Sequence, residues 1–292
     1  MAGDMVTVGE VVLGRIRAQA EVLAGLDGAV RADEPDAVHR MRVACRRLRS
    51  AFRTYRRLLA PGATDELVAE LRWLAAALGR ARDQEVLGER LAARARELPA
   101  ECGPEQVAAE LERRGKAEYR RVWPEVVAAL DSPRRRELAD GLAALLTDPP
   151  LRGRADRAAG PELTRVAARE QRRTADRIRT ALADRGEEQD IALHEARKAA
   201  KRARYAGETA LPVAGRAAER YVARMKAVQE VLGEHQDAVV ASTALREQAR
   251  ASKEPFGYGV LYGQQLAEAE RARLALPEVW ERAAGPELTR FA

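Results

Sequence analysis

Hydrophobic residues recur at three- and four-residue intervals along most of the chain, and clusters of proline, glycine and aspartate interrupt them. Such spacing is typical of amphipathic α-helices, and the interruptions are typical of loops. The aliphatic residues are mostly alanine, leucine and valine, a composition that favours helix over strand. We therefore predict an all-α protein, with helices near residues 6–30, 35–59, 64–97, 104–130, 134–147, 161–185, 189–211, 215–250 and 260–275.

The longest interruption lies near the middle of the chain, at residues 148–160, where the sequence is DPPLRGRADRAAG. Paired prolines cannot continue a helix, so this segment is predicted to connect two helical halves, residues 1–150 and 151–292. The halves repeat: VHRMRVACRRLRSAF at 38–52 aligns with LHEARKAAKRARYAG at 193–207, and LGxxxD recurs at 78–83 and 232–237. The two offsets, 155 and 154 residues, indicate internal duplication. We predict two pseudosymmetric antiparallel helical bundles packed into one domain of residues 1–292.

The first repeated segment predicts a basic stripe along one side of a helix. Its members follow each other by three or four residues, so they stay within an arc of roughly 80° and span about 21 Å. They are His39, Arg42, Arg46, Arg49 and Arg53, with Arg47 beside them. An apolar set with the same spacing is predicted to anchor this helix in the core. It consists of Val38, Met41, Cys45, Leu48, Phe52, Tyr55 and Leu59.

The second repeated segment predicts a matching stripe. Its members are His194, Arg197, Lys201 and Arg204, with Lys198 and Arg202 beside them. Glu208 stands where the first stripe has Arg53, so we expect weaker anion binding at that end. The inward face contains only small residues, which would let a neighbouring helix approach closely. Those residues are Ala196, Ala200, Ala203 and Gly207.

Neighbouring positions within each stripe carry like charges, which repel each other on a helix. An anionic partner is the simplest explanation, and we expect the two stripes to face one groove. Two alternatives stay open. In the first alternative, each stripe is a solvated helix face with local salt bridges. In the second, an acidic face on another helix neutralises each stripe.

Other candidate chemistry is sparse. His39 and His194 begin the stripes without a cluster of metal ligands around them, so phosphate donation or helix-start capping is the better interpretation, and His235 is either a third contributor or structural. Asp83 and Asp237 are interpreted as ion-pair partners that orient basic side chains. With no nucleophile beside a base and no GxxxxGK[ST] loop, we predict no catalytic residue, no metal and no cofactor.

The overall charge of +6 and the pI of about 9.6 accompany 45 acidic residues, so the basic excess matters only if it is segregated in space. Cys45 and Cys102 lack metal-ligand spacing, the N-terminus lacks a basic segment, and no stretch reaches about 18 consecutive apolar residues. We expect a cytoplasmic protein without membrane contact.

The segments VHRMRVACRRLRSAFRTY, LHEARKAAKRARYAGE and MKAVQEVLGEHQD resemble the CHAD family, the conserved histidine α-helical domain. The resemblance spans most of the chain. It implies two pseudosymmetric helical bundles that bind inorganic polyphosphate through a basic central surface, often at polyphosphate granules. The residues it carries over are His39, Arg42, Arg46, Arg47, Arg49, His194, Arg197, Lys198, Lys201, Arg202 and Arg204, with Arg82 and Lys226 as weaker candidates.

Many CHAD domains are fused to a triphosphate-tunnel catalytic domain marked by ExExK, a motif that this sequence lacks. The resemblance therefore implies a stand-alone binding module and not an enzyme. Two alternatives are kept: a nucleic-acid-binding helical protein and an enzyme that processes phosphate esters. Against nucleic acid, Tyr205 is the one aromatic residue near the stripes that would stack on a base.

Overall fold

Long helices make up nearly the whole chain. The computed structural model describes residues 6–291, apart from the side chains of Arg82, Gln84 and Glu85. Helices account for 84% of the chain, and the described part contains two isolated bridges but no β-strand. The all-α prediction is confirmed. The pseudosymmetry of the two halves stays a prediction.

Nine α-helices lie between residues 6 and 291. Their bounds are α1 Val8–Gly25, α2 Asp27–Arg31, α3 Ala37–Thr54, α4 Asp65–Arg96, α5 Pro104–Asp131, α6 Pro133–Thr147, α7 Ala159–Ala183, α8 Gly186–Ala249 and α9 Pro255–Glu281. Proline occupies the first position of α5, α6 and α9. Its fixed φ and missing N–H suit that position, because the first N–H groups of a helix have no partner inside it.

Helix α8 contains a sharp reversal at Gly215, whose φ of 41° and ψ of −122° are not helical. Residues 186–214 form its first arm and residues 216–249 its second arm. The arms pack side by side, since a Cβ on Gly207 would lie 2.6 Å from the ring of Tyr221 and Asp190 contacts His235. The reversal separates the two segments for which the sequence predicted two helices.

The predicted bounds of three helices are wrong. The segment 6–30 is interrupted at Leu26, between α1 and α2, and the segment 35–59 stops being an α-helix at Tyr55, whose φ is −105°. Helix α9 is longer than the predicted 260–275 and begins at Pro255. In its first turn, Gly257 allows close approach to the backbone carbonyl of Cys102.

The main hydrophobic core draws buried residues from both halves of the chain, and a second core joins the distal ends of α4, α5, α8 and α9. The segment between α6 and α7 is the connector that the sequence predicted. It is held by backbone hydrogen bonds from Arg152 N–H to the Leu58 carbonyl and from Gly9 N–H to the Ala155 carbonyl, both 2.9 Å. None of the described helices carries an apolar stretch long enough to cross a bilayer.

Candidate functional site

The first basic stripe lies on a helix whose opposite side is buried. All seven predicted core residues between positions 38 and 59 are less than one-tenth exposed, which confirms that prediction. On the other side, Arg42, Arg46, Arg47 and Arg49 are half-buried, and Arg53 is exposed. Because the backbone of α3 is fixed by packing, less conformational freedom is left for these side chains to lose when they bind a ligand.

The second basic stripe lies on the first arm of α8. The small residues predicted to face inward, Ala196, Ala200, Ala203 and Gly207, are all buried. At Gly207 this allows the close approach of a neighbouring helix that the sequence predicted, because Tyr221 of the second arm packs against this glycine. Arg197, Lys201 and Arg204 are half-buried on the neighbouring side of the arm.

The structure brings the centres of the two stripes together around Lys201. Burial, followed by the charges of Arg197, Arg46, Arg204 and Arg42, lowers the pKa of this lysine to about 7. Two of these arginines come from α3 and two from α8, so side chains about 155 residues apart in sequence share one small region. We call Arg42, Arg46, Arg197, Lys201 and Arg204 the central cluster.

The glycines of the repeated LGxxxD motif support two arginines of the central cluster. A Cβ on Gly79 would lie 3.3 Å from the guanidinium of Arg42, and one on Gly233 would lie 3.5 Å from that of Arg197. The guanidinium groups therefore lie close to the backbone of α4 and of the second arm of α8. This contact gives the repeated glycines a physical reason that the sequence pattern alone did not supply.

The aspartates of the same motif differ in what they contact. Arg42 Nη1 donates to Asp83 Oδ1 at 2.6 Å, so Asp83 does pair with a basic residue of the first stripe. Asp237 lies 3.9 Å from Arg90 instead, an arginine of α4 that belongs to neither stripe.

Two buried glutamates form ion pairs with further arginines at the edges of the site. The sequence analysis did not predict these ion pairs. The Glu208 side chain is 9% exposed; it contacts Arg15 and lies 3.2 Å from Arg204 and 3.4 Å from Arg47. In the sequence, the position of Glu208 in the second stripe is the signal that could have found it. Its partners Arg15 and Arg47 come from α1 and α3, so these contacts depend on how those helices pack against α8.

Glu170 of α7 is the second buried glutamate, and its side chain is 2% exposed. Its carboxylate lies 3.2 Å from Arg169, 3.6 Å from Arg173 and 3.8 Å from Arg202. The sequence left open that acidic residues on other helices neutralise the stripes. In the structure, carboxylates pair with some of the basic residues of the stripes and not with others.

Several cations stay uncompensated within the described residues. No ion pair there involves Arg46, Arg49, Arg53, Arg197 or Lys201. Six arginines of the two repeated segments also have a buried Nε atom without a hydrogen-bond partner. They are Arg46, Arg47, Arg49, Arg197, Arg202 and Arg204. Because desolvated like charges raise the free energy of the empty site, a bound anion would recover part of that cost.

The histidines have different surroundings. His39 lines a cleft of about 640 Å³ together with Asp33, Glu89 and Lys116. Burial, followed by the charge of Lys198, lowers the pKa of His194, so this imidazole is neutral at pH 7.

His235 lies outside the central cluster. It is buried and lies 3.2 Å from Asp190, which links the two arms of α8 and supports the structural alternative for this residue. Across the described part of the chain, no group of three His, Cys, Asp or Glu residues is arranged to hold a metal ion.

The remaining candidates lie at the margin. Lys198 is half-exposed and pairs with Glu195 at 2.6 Å, and the exposed Lys226 pairs with Glu230 at 3.2 Å. The side chain of Arg82 is outside the described part of the structure.

The chain is similar to known proteins in sequence and in structure. The family model of the CHAD domain matches residues 14–246. Two uncharacterized proteins from strains of Mycobacterium tuberculosis are each 37% identical to this chain over 268 residues. Each match covers 87% of this chain but 49% of the relative, so the chain spans about half the length of these relatives.

Two solved structures have a similar fold. PptA from Streptomyces chartreusis superposes with a TM-score of 0.76 at 24% identity, covering 94% of this chain and 100% of PptA. The CHAD domain from the plant Ricinus communis superposes with a TM-score of 0.71 at 26% identity, covering 97% of this chain and 94% of that domain.

Proposed function

Because this chain belongs to the CHAD family, a family known in polyphosphate-related proteins, we propose that it binds inorganic polyphosphate at the central cluster. The observation that carries the proposal is the meeting of four arginines from α3 and α8 around the half-buried Lys201. Polyphosphate carries a negative charge on every phosphate, and guanidinium groups donate to phosphate oxygens in pairs. An extended polyanion matches a row of cations better than a single phosphate does.

Binding without cleavage is the second part of the proposal. The side chains of the central cluster are cations that neutralise charge, and Asp83 is engaged by Arg42. We therefore expect the protein to leave the length of bound polyphosphate unchanged. As the cellular role of this binding, we propose targeting or scaffolding at polyphosphate granules in the cytoplasm.

Nucleic acid is the main competing ligand, since a phosphodiester chain feels the same positive field. The ring of Tyr205 is buried, with the guanidinium of Arg204 at 4.9 Å and that of Arg47 at 5.9 Å from its centroid. A base has no access to this ring for stacking, which favours polyphosphate over nucleic acid.

The test removes two uncompensated arginines, one from each helix, in the double variant Arg46→Gln/Arg197→Gln. Charge-assisted hydrogen bonds contribute about 1.5 kcal/mol each, so affinity for long-chain polyphosphate should fall by about 100-fold. Calorimetric titration at fixed salt measures this, because screening changes the electrostatic part of the affinity.

The matched control is Arg121→Gln/Arg136→Gln, which removes the same charge from exposed arginines of α5 and α6. It should bind polyphosphate within about twofold of the wild type. Equal affinities of the two double variants would overturn the proposed site. Stronger displacement of bound polyphosphate by RNA than the reverse would favour the nucleic-acid alternative.

A further inference from the structure

Lys201 is flanked by arginines on its own helix and has no acid beside it. Arg197 precedes it by four residues and Arg204 follows it by three, so the three side chains lie on one side of the first arm of α8. Like charges at this spacing repel each other. Glu208 pairs with Arg204 at 3.2 Å, but no ion pair within the described residues involves Lys201 or Arg197. The positive charge of this lysine is therefore opposed by its neighbours.

The other four lysines of the chain have different surroundings. All of them are exposed, and two of them pair with a glutamate three or four residues away. They are Lys116, Lys198, Lys226 and Lys253. Lys201 is half-buried. Burial and the charges of the arginines disfavour its protonated form and lower its pKa to about 7, so a substantial fraction of this side chain carries a neutral amine at neutral pH.

A neutral lysine amine beside other cations is a nucleophile. Carbon dioxide is an electrophile small enough to reach a half-buried amine. The nitrogen lone pair attacks the carbon of carbon dioxide, a C–N bond forms, and the electron pair of one C=O bond moves to oxygen. The nitrogen then releases a proton to water. The product is a carbamate, which carries one negative charge on two oxygen atoms arranged as in a carboxylate.

The central cluster has the groups that stabilise such an anion. Guanidinium groups donate to carboxylate oxygens in pairs, and hydrogen bonds between charged groups are stronger than neutral ones. The Nε atoms of Arg46, Arg197 and Arg204 are buried without a hydrogen-bond partner among the described residues. A carbamate on Lys201 would place an attracting charge among these arginines in place of a repelling one. Its formation would therefore relieve the repulsion within the empty site.

We propose that Lys201 is a modification site at which carbon dioxide forms a carbamate that the arginines of the central cluster hold in place. The carbamate would occupy the position of a phosphate group and carry the same sign of charge. Carbon dioxide and polyphosphate should therefore exclude each other from the central cluster. This mutual exclusion rests on the proposed function, whereas the modification itself does not.

The modification is measured by ¹³C NMR of the protein in ¹³C-labelled bicarbonate at neutral pH. The wild type should show a carbamate resonance that is absent in Lys201→Arg, because a guanidinium group does not form this adduct. Lys198→Arg is the matched control on the same arm and should keep the resonance. A carbamate on the N-terminal amine would appear equally in all three proteins, so the comparison separates it. If no resonance depends on Lys201, the proposal is wrong.

Binding of long-chain polyphosphate gives a second readout. At a bicarbonate concentration that converts half of Lys201 to the carbamate, polyphosphate affinity should fall by about twofold, since only the unmodified half binds. The reference is a chloride solution of equal ionic strength, because salt screens the same charges. The affinity of Lys201→Arg should be the same in both solutions. Saturating polyphosphate should in turn remove the Lys201 resonance from the wild type.

The two readouts separate this inference from the proposed function. If the carbamate forms on Lys201 and polyphosphate does not bind, the proposed function fails and the modification stands. If polyphosphate binds and no carbamate forms, the modification is wrong and the proposed function stands. If both occur and neither changes the other, the mutual exclusion is wrong.

Discussion

Two groups of basic residues in this molecule have opposite surroundings. In the central cluster, Arg46, Arg197 and Lys201 have no acidic partner within the described residues. Between α4 and α9, Arg90 lies 3.1 Å from Glu268 and 3.9 Å from Asp237, and Arg94 also contacts Glu268. We call this second group the balanced cluster. It lines a cleft of about 580 Å³.

The comparison shows that compensation, and not arginine content, separates a candidate anion site from a structural network. Internal carboxylates satisfy the guanidinium groups of the balanced cluster, so a phosphate there would compete with protein groups already in place. In the central cluster the same cations repel each other and bury unpartnered donors. A bound anion would relieve repulsion in the central cluster, whereas in the balanced cluster it would break existing ion pairs.

Of the changes that test this comparison, a change of pH should have the largest effect on affinity, and its absence would contradict the comparison. Lys201 has a pKa of about 7 in the free protein, surrounded by Arg42, Arg46, Arg197 and Arg204. Bound phosphate stabilises the charged amine, so binding takes up a proton when the pH is above 7. Affinity should therefore fall by about tenfold between pH 7.5 and 9, as measured by calorimetry in buffers of different ionisation enthalpy.

Lys201→Arg is the control for that prediction, because arginine stays charged across this range and the pH dependence should disappear. His194 is already neutral there, since its pKa is lowered. The stability of the free protein should depend on pH in the opposite direction. The unfolded lysine keeps its proton up to its ordinary pKa of 10.5, so the free energy of unfolding should rise with pH from 7 towards that value. An affinity that is flat with pH in the wild type would contradict the prediction.

A substitution in the balanced cluster should have an intermediate effect, on stability and not on affinity. Arg90→Gln removes a partner of Glu268 and Asp237, and these ion pairs are partly exposed. We expect a loss of about 1 kcal/mol in the free energy of unfolding and no change in polyphosphate affinity. Urea denaturation and calorimetric titration measure the two quantities. A large loss of affinity would place the balanced cluster inside the binding site.

The smallest effect distinguishes the two supporting glycines. Alanine favours a helix interior over glycine by about 0.5–1 kcal/mol, so both Gly79→Ala and Gly233→Ala should gain stability from the backbone. The methyl group at position 79 would crowd Arg42 at 3.3 Å, whereas the one at position 233 meets Arg197 at an ordinary contact distance. We expect about a twofold loss of affinity for Gly79→Ala only; thermal melting and titration compare the variants, and an equal response would remove the role of this contact.

Much of the fold followed from periodicity. The three- and four-residue spacing of apolar residues predicted the buried face of α3, and the small residues of the second repeated segment predicted the close approach of a neighbouring helix. The repeat aligned the members of both stripes and the two LGxxxD segments. Helix ends were less predictable, because positions such as Tyr55 and Gly257 are determined by contacts with distant segments.

The candidate site was predictable as a set of residues but not as a charge balance. Arg42, Arg47 and Arg204 look equivalent in sequence to Arg46, Arg49 and Arg197, yet only the first three have a carboxylate within reach in the described structure. Their acids come from α4 and from the turn of α8 after the stripe. Local spacing indicates the i,i+4 pair of Arg204 and Glu208, but not that Arg42 meets Asp83 or that Arg47 meets Glu208.

The sequence by itself determined that this chain is helical, that it carries two basic stripes and that each stripe is backed by a face suited to burial. These properties depend on residues three or four positions apart, which a helix always places together. Only the tertiary structure decided that Lys201 lies among arginines of both stripes, and that Glu208 and Glu170 are buried at the edges. Those contacts join residues far apart in the chain, and the energy of a charge depends on the neighbours and the solvent that folding gives it.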